Sequence, residues 1–343
     1  MDVTIYDIAE RASVSIATVS RVLNNSTRVA EATRQRVLEI ADELGYEPHT
    51  SAQNLARRQS NLIAVVLPWA TNFFLEVLRG VQDRVAETSY DVLVYLARNN
   101  KEVESRLDRA LKKGRAAGVL FLSNPVTDAF YEKLKNSSAT VVLADTYHDE
   151  FESAVVDNVL GGYVATNHLI ETGCRSVGLI MASPRSVPSA DRRRGYVKAL
   201  TDAGIAVDED LISFDAEAGD GYTEDSGYRT MCELLSRPRR PDGVFVTSDE
   251  QAIGVLRAMR EHGLAVPDDI SVVGFDDIPL LRYAGLSTLR QPMYELGRFA
   301  TERLIKKLES GDGESQHTVF APELIVRETT RQAVAAVAAE EEE

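Results

Sequence analysis

Residues 3–60 read VTIYDIAERASVSIATVSRVLNNSTRVAEATRQRVLEIADELGYEPHTSAQNLARRQS. Thr4 followed by Asp7 has the spacing of a capping box, in which hydroxyl and carboxylate satisfy the free N–H groups of a helix start, so a helix begins near Ile5. Ile5, Ile8, Ala9 and Ala12 then recur at helical spacing and give one apolar face, which ends in a break around Ser13 and Val14. Ser15 caps a second short helix over 16–23 that turns Val19, Val22 and Leu23 inward and leaves Ile16, Ala17, Thr18, Ser20 and Arg21 on other faces. A third helix over 31–44 buries Val37, Ile40, Ala41 and Leu44 and stops at Gly45, the residue type that best adopts a left-handed C-cap. Three such helices make a compact trihelical unit. Pattern alone leaves a protein-interaction bundle as open as a DNA-binding unit.

Charge distribution bears on that choice. The 343 residues carry a net charge of −15, which as a sum opposes nucleic-acid binding, because phosphate contacts need clustered Lys and Arg. Residues 1–60 account for only −1 of it, and within them the span from Arg11 to Arg36 holds five arginines against one acid, Glu31. A local basic face is therefore available, while the acidic remainder keeps the rest of the chain off DNA.

The segment 3–60 closely resembles, over essentially its whole length, the headpiece of the lactose-repressor (LacI/GalR) family of bacterial transcriptional regulators. The resemblance implies a helix-turn-helix whose second helix enters the major groove. It makes Ile16, Ala17 and Arg21 the base readers, with Arg21 the candidate for a guanine contact. Thr4, Ser15, Thr18, Ser20, Asn24 and Arg28 become phosphate or groove contacts. Ala30 departs from the capping Ser of many relatives, which weakens the third helix's cap. Beyond Pro48, HTSAQNLARRQS has too little apolar surface to fold alone. By resemblance it is a hinge helix that orders on DNA, with Leu55 as a wedge between base steps and Arg57 supplying charge to the minor groove.

From Leu62 onward, short apolar runs alternate with amphipathic segments. LIAVVLP, DVLVYLA, GVLFLS, TVVLAD, SVGLIM, GVFVTS and ISVVGF read as strands, and 74–87, 103–113, 162–172 and 251–262 as helices, which is the pattern of doubly wound parallel α/β structure. VVDNVLGGYVATNHLIETG, GYVKALTDAGI, SDEQAIGVLRAM, ISVVGFDD and LSTLRQPMYELG extend the family resemblance and imply a two-lobed, periplasmic-binding-protein-like sensor with its ligand in the cleft near the strand ends. The expected organisation is a headpiece over 1–48, a hinge over 49–60, and a sensor and dimerisation domain over 61–330. Its lobes are 61–160 with 290–320 and 161–289 with 321–330, and an acidic tail follows over 331–343.

Family positions place Phe73, Asp145, Arg192, Tyr222, Ser248, Asp249 and Asp276 in the effector cleft. Carboxylates that accept from hydroxyls, a guanidinium fork and aromatic faces suit a sugar or sugar derivative. Asp249 and Asp276 read equally as caps after a strand, Phe73 as core, and Tyr222 is placed only by counting back from Gly227. Ser248 departs from the Asn common at its position.

No GxSxG elbow, phosphate-binding GxxxxGK[ST] loop, HExxH helix or GxGxxG follows the strands, so no enzyme and no catalytic residue is expected. His49, His148, His168, His262 and His317 are scattered, and His168 reads as structural. Cys174 and Cys232 give neither a disulfide framework nor a zinc site. No metal or cofactor is expected. No run approaches the ~20 apolar residues that span a bilayer, and MDVTIYDIAE lacks the regions of a secretory signal, so a cytoplasmic protein is expected. Its partners are double-stranded operator DNA, a small-molecule effector and a second copy of itself. QAVAAVAAEEEE lacks a leucine heptad, which leaves a dimer rather than a tetramer.

Overall fold

The computed structural model describes residues 3–23, 28–46, 60–68, 71–217, 219–311 and 315–332. The chain divides into two compact units, with the break after Asn61.

In the first unit, α1 (Ile5–Ala12), α2 (Ile16–Leu23) and α3 (Glu31–Glu43) enclose Ile8, Ala12, Val19, Val22 and Val37, all buried. The Asp7 carboxylate accepts both the Thr4 N–H, at 2.7 Å, and the Thr4 hydroxyl, at 2.6 Å. These contacts hold its pKa below the ordinary carboxylate value even at the surface. Helix α3 stops one residue short of Leu44, which is its C-cap, and Gly45 follows at φ 62°. Ala30 makes no side-chain cap hydrogen bond.

The second unit holds two six-stranded sheets. Strands β1 (Leu62–Pro68), β2 (Asp91–Ala97), β3 (Gly118–Leu122), β4 (Thr140–Ala144), β5 (Glu152–Val156) and β11 (His317–Phe320) form the first, in the order β11-β5-β4-β3-β1-β2, wholly parallel. The second runs β12-β10-β9-β8-β6-β7. Its strands are β6 (Val177–Met181), β7 (Ile212–Phe214), β8 (Gly243–Val246), β9 (Ser271–Asp276), β10 (Ser287–Arg290) and β12 (Glu323–Ile325). Only β12 is antiparallel to its neighbour.

Period-two alternation explains why these strands read as unbroken apolar runs. Ile63, Val65 and Leu67 face helices Asn72–Val85 and Met293–Ser310, while Ala64 and Val66 face helices Asn100–Leu111 and Asp128–Lys135. In lobe two, Val244 and Val246 face helices Glu224–Ser236 and Asp249–Glu261, and Phe245 faces Asn158–Glu171 and Val187–Asp202. Fully burying side chains such as Phe121, Phe245 and Phe275 contributes roughly 1.5–3 kcal/mol each.

The chain passes between lobes after β5, β10 and β11. Asn158, Val159 and Leu160, expected in lobe one, instead open the helix Asn158–Glu171, which packs on the sheet of lobe two. The four sensor helices expected from periodicity all begin two to four residues earlier than 74, 103, 162 and 251. Asn99, Asp157 and Ser248 cap three of them, and the first turns of Asn100–Leu111 and Asp249–Glu261 are polar, so apolar periodicity emerges there only after the first turn. Among the described residues no helix is long and apolar enough to cross a membrane.

Candidate functional site

Helix α2 presents Ile16, Ala17 and Arg21 on its exposed side, with Thr18 and Ser20 half-buried. Ser15 caps it: its Oγ accepts the Thr18 N–H at 3.2 Å and lies 2.9 Å from the Thr18 hydroxyl. Ser15 and Thr18 thus satisfy one another, and the single hydroxyl proton of Thr4 is held by Asp7. Arg28 is exposed ahead of α3. Asn24, Leu55 and Arg57 lie outside the described residues.

In the second unit, the strand ends concentrate unusual backbone. Ser123, Asp145, Asp276 and Asp277 are non-glycine residues at φ 52°, 54°, 131° and 56°, and each sits at or just after the end of β3, β4 or β9. Such conformations cost energy and persist where surrounding contacts over-determine them. Ser123 donates to Asp145 Oδ2 at 2.6 Å, and Asp145 N–H donates to the Ala154 carbonyl at 2.9 Å. Gln291 Nε2 donates to Asp276 Oδ1, while the Gln291 Oε1 atom is buried without a hydrogen-bond partner. Asp277 is held by Arg290, at 2.7 Å, and by Arg282 and Arg327.

Arg192 reaches this region from the helix Val187–Asp202 and is buried. That helix crosses Asn158–Glu171 so closely that a Cβ on Gly162 would stand 2.1 Å from the Arg192 carbonyl oxygen. Arg192 Nε donates to Asn158 Oδ1 at 2.8 Å and Nη1 to the Thr247 carbonyl, and the guanidinium stacks on Phe275. Its charge acts on Asp145, Tyr222 and Asp276 together.

Burial pushes the Asp145 carboxyl up to about 6, although Ser123 and then Arg192 counteract it. Asp276 is raised well above the ordinary value, first by burial, with Arg192 opposing and Asp249 adding repulsion. Burial likewise raises the Tyr222 hydroxyl to about 12, and that hydroxyl lies 2.7 Å from Ser186 Oγ, the cap of the helix that carries Arg192. Two aspartates, one arginine and one tyrosine from both lobes therefore form one electrostatic cluster.

The remaining three candidates are engaged differently. Asp249 is buried, with Oδ1 accepting from Thr288 at 2.6 Å and Oδ2 from the Ile278 N–H at 3.0 Å. Ser248 caps its helix and exchanges hydrogen bonds with Gln251 at 3.2 Å. Phe73 packs against the core of lobe one and meets Phe74 edge-on at 5.0 Å. Sequence reasoning missed Ser123, Asn158, Phe275 and Gln291. Each acts through a contact distant in the chain, so lying inside a quoted stretch, as all four do, did not mark its role.

A separate groove of about 580 Å³ lies where the lobes meet, lined by Glu76, Arg79, Arg282, Arg290 and Tyr294 among others. None of the seven cleft candidates lines it. Its arginines are already paired, Arg79 with Glu76 and both Arg282 and Arg290 with Asp277. His168, buried 3.0 Å from the Thr330 hydroxyl, has its pKa lowered by burial, as suits a structural histidine.

A trihelical unit with an exposed, basic second helix, joined to a two-lobed α/β unit with a charged cleft, defines a ligand-responsive DNA-binding regulator. Comparison with known proteins agrees. Residues 4–49 match the model described as bacterial regulatory proteins, lacI family, and residues 166–330 that of a periplasmic binding protein-like domain. The chain is 36% identical over 336 residues to the HTH-type transcriptional repressor CytR of Escherichia coli strain K12, covering 96% of each. It is similar to a solved complex of the transcriptional regulator CelR with cellobiose (30% identity, TM-score 0.72, 95% of this chain and 99% of the other). It is also similar to a lac repressor dimer bound to operator and the anti-inducer ONPF (27%, TM-score 0.83, 96% and 100%). The chain belongs to the lacI family of bacterial regulatory proteins; it is a DNA-binding transcriptional regulator and not an enzyme.

Proposed function

We propose that the protein is a cytoplasmic repressor that binds a near-palindromic operator as a homodimer and is controlled by a sugar or sugar derivative. Arg21, Ile16 and Ala17 read bases. Ser15, Thr18, Ser20, Asn24, Arg28 and Thr4 meet the backbone, with Thr4 the weakest donor because Asp7 competes for its proton. Residues 49–60 link the headpiece to the sensor, and Leu55 and Arg57 enter the minor groove at the operator centre.

The observation that carries the effector assignment is the Asp145, Arg192, Tyr222 and Asp276 cluster. Two carboxylates, Asp145 and Asp276, feel the charge of a guanidinium whose Nε and Nη1 donors are already engaged by protein acceptors. Hydroxyl-rich neutral ligands fit such a set, since they donate to carboxylates and accept from the remaining guanidinium N–H groups. The solved complex of CelR with cellobiose and the lac repressor dimer on its operator support both halves of the reading. Effector binding then shifts the DNA-competent population through its unequal affinity for two lobe geometries.

Selection of bound sequences from a random duplex pool tests this, repeated with Leu55→Gly and with a panel of sugars. A palindromic consensus, weakened by the variant and altered by one sugar, is the expected result. No enrichment above the salt-dependent background would remove the repressor assignment.

A further inference from the structure

We propose that Glu250 is a positioning residue for the effector cleft, a carboxylate of lobe two that caps a helix of lobe one and so fixes the gap between them. The proposal rests on the cleft assignment above.

Helix Asn72–Val85 begins at Thr71, whose side chain makes no cap hydrogen bond, and its first turn holds no acidic residue. Its orphan N–H groups and positive dipole end therefore lack a local partner. Glu250 supplies one from across the cleft. Its Oε1 accepts the Asn72 backbone N–H at 2.9 Å and the Asn72 Nδ2 at 2.9 Å, both partly buried. Glu250 itself lies in the first turn of helix Asp249–Glu261, whose cap Ser248 already serves Gln251. One carboxylate thus faces the N-terminal ends of two helices, one from each lobe. Charge-assisted bonds of this kind are about twice as strong as neutral ones.

The neighbours in sequence give the contact its meaning. Asn72 adjoins Phe73, and Glu250 follows Ser248 and Asp249 directly, so the contact holds three cleft candidates in fixed register from opposite lobes. Lobe separation breaks both hydrogen bonds together. A ligand that bridges the lobes binds a gap whose width Glu250 has already set.

Single-residue amide hydrogen exchange on the full, ligand-free chain tests this without needing any effector. In Glu250→Ala the amide of Asn72, in the other lobe, is expected to exchange on the order of tenfold faster or more. Glu250→Gln, which keeps an acceptor, should restore much of the protection. Helices Asn100–Leu111 and Asp128–Lys135, capped by their own Asn99 and Thr127, serve as controls and should not change. Unchanged exchange at Asn72 would overturn the proposal. So would acceleration spread evenly over both lobes, which would mark a general loss of stability. A failure of the sugar panel would instead count against the effector assignment alone.

Discussion

The guanidinium carbon of Arg192 lies 3.6 Å from the centroid of the Phe275 ring. A cation this close to a buried aromatic face gains from the ring quadrupole, and stacking also fixes the plane in which its N–H groups point. Nε serves Asn158 and Nη1 serves Thr247, while the charge acts on the Asp145 and Asp276 carboxylates. Geometry of this kind belongs to a planar fork, not to a point charge.

Arg192→Lys therefore keeps the charge but loses the simultaneous stack and paired donation. It should destabilise the sensor by about 1–3 kcal/mol, because the Asn158 and Thr247 acceptors are left without their donor. A urea titration should show a lower midpoint with an unchanged slope. A midpoint equal to that of the parent protein would mean that the fork geometry contributes nothing.

Asp145 gives a pH dependence with a definite sign. Its folded value of about 6 lies above the ordinary 3.8, so the folded state holds this proton more tightly than the unfolded chain. The associated stability is fully present below pH ~3.8 and is lost as pH rises to ~6, by up to about 3 kcal/mol. Asp145→Asn can keep the Ser123 hydrogen bond and cannot ionise. Relative to the parent, the variant should gain stability between pH 4 and 7, and a difference that stays constant between those two pH values would show that burial does not raise this group. Asp277 is a contrasting case, held low by Arg327 and Arg290 against the cost of its burial, and its contribution is lost on the acid side instead.

Gly162→Ala tests how Arg192 is delivered to the cleft. The added Cβ would meet backbone, the Arg192 carbonyl oxygen at 2.1 Å, and backbone cannot rotate away as a side-chain end can. The two helices must separate, at a cost of about 1–3 kcal/mol, and Arg192 moves with its helix. Thermal unfolding should report a fall in Tm of several degrees. An unaltered Tm would mean that the crossing has slack.

The strands of the two sheets were legible to the extent that both their faces are buried. Residues 62–68, 118–122 and 271–276 read as strands because either side meets a helix layer. β5, β7, β10, β11 and β12 escaped because they are short and carry polar residues whose partners are remote. Glu152 on β5 is buried only because Arg303 and Lys307, from the helix Met293–Ser310, pair with it. The cleft shows the same division. Asp145, Arg192 and Asp276 were expected in the cleft through family resemblance at matching positions. Ser123, Asn158 and Gln291, which hold them, are ordinary polar residues until the chain folds. Ser248 and Asp249 matched the pattern equally well, yet their polar atoms are engaged within lobe two, as a helix cap and as a brace to Thr288 and Ile278.

The proposed headpiece roles separate residues that read sequence from residues that only position. Ile16 and Ala17 offer apolar contact alone, so on that proposal hydrogen-bonded readout from the exposed side of α2 falls to Arg21. A bidentate guanine contact is worth about 1–3 kcal/mol of discrimination. Arg21→Ala should therefore lose that much specific affinity and relax preference at one base pair per half-site. Arg28→Ala, if it removes a phosphate contact, should weaken binding to all sequences alike and lower the slope of log affinity against log salt by about one. Titrating both variants against the selected operator and a scrambled duplex at several salt concentrations distinguishes these outcomes. Should Arg21→Ala instead weaken both duplexes equally with its base preference intact, Arg21 would be a backbone contact, and the readout would rest on the methyl-sized contacts of Ile16 and Ala17.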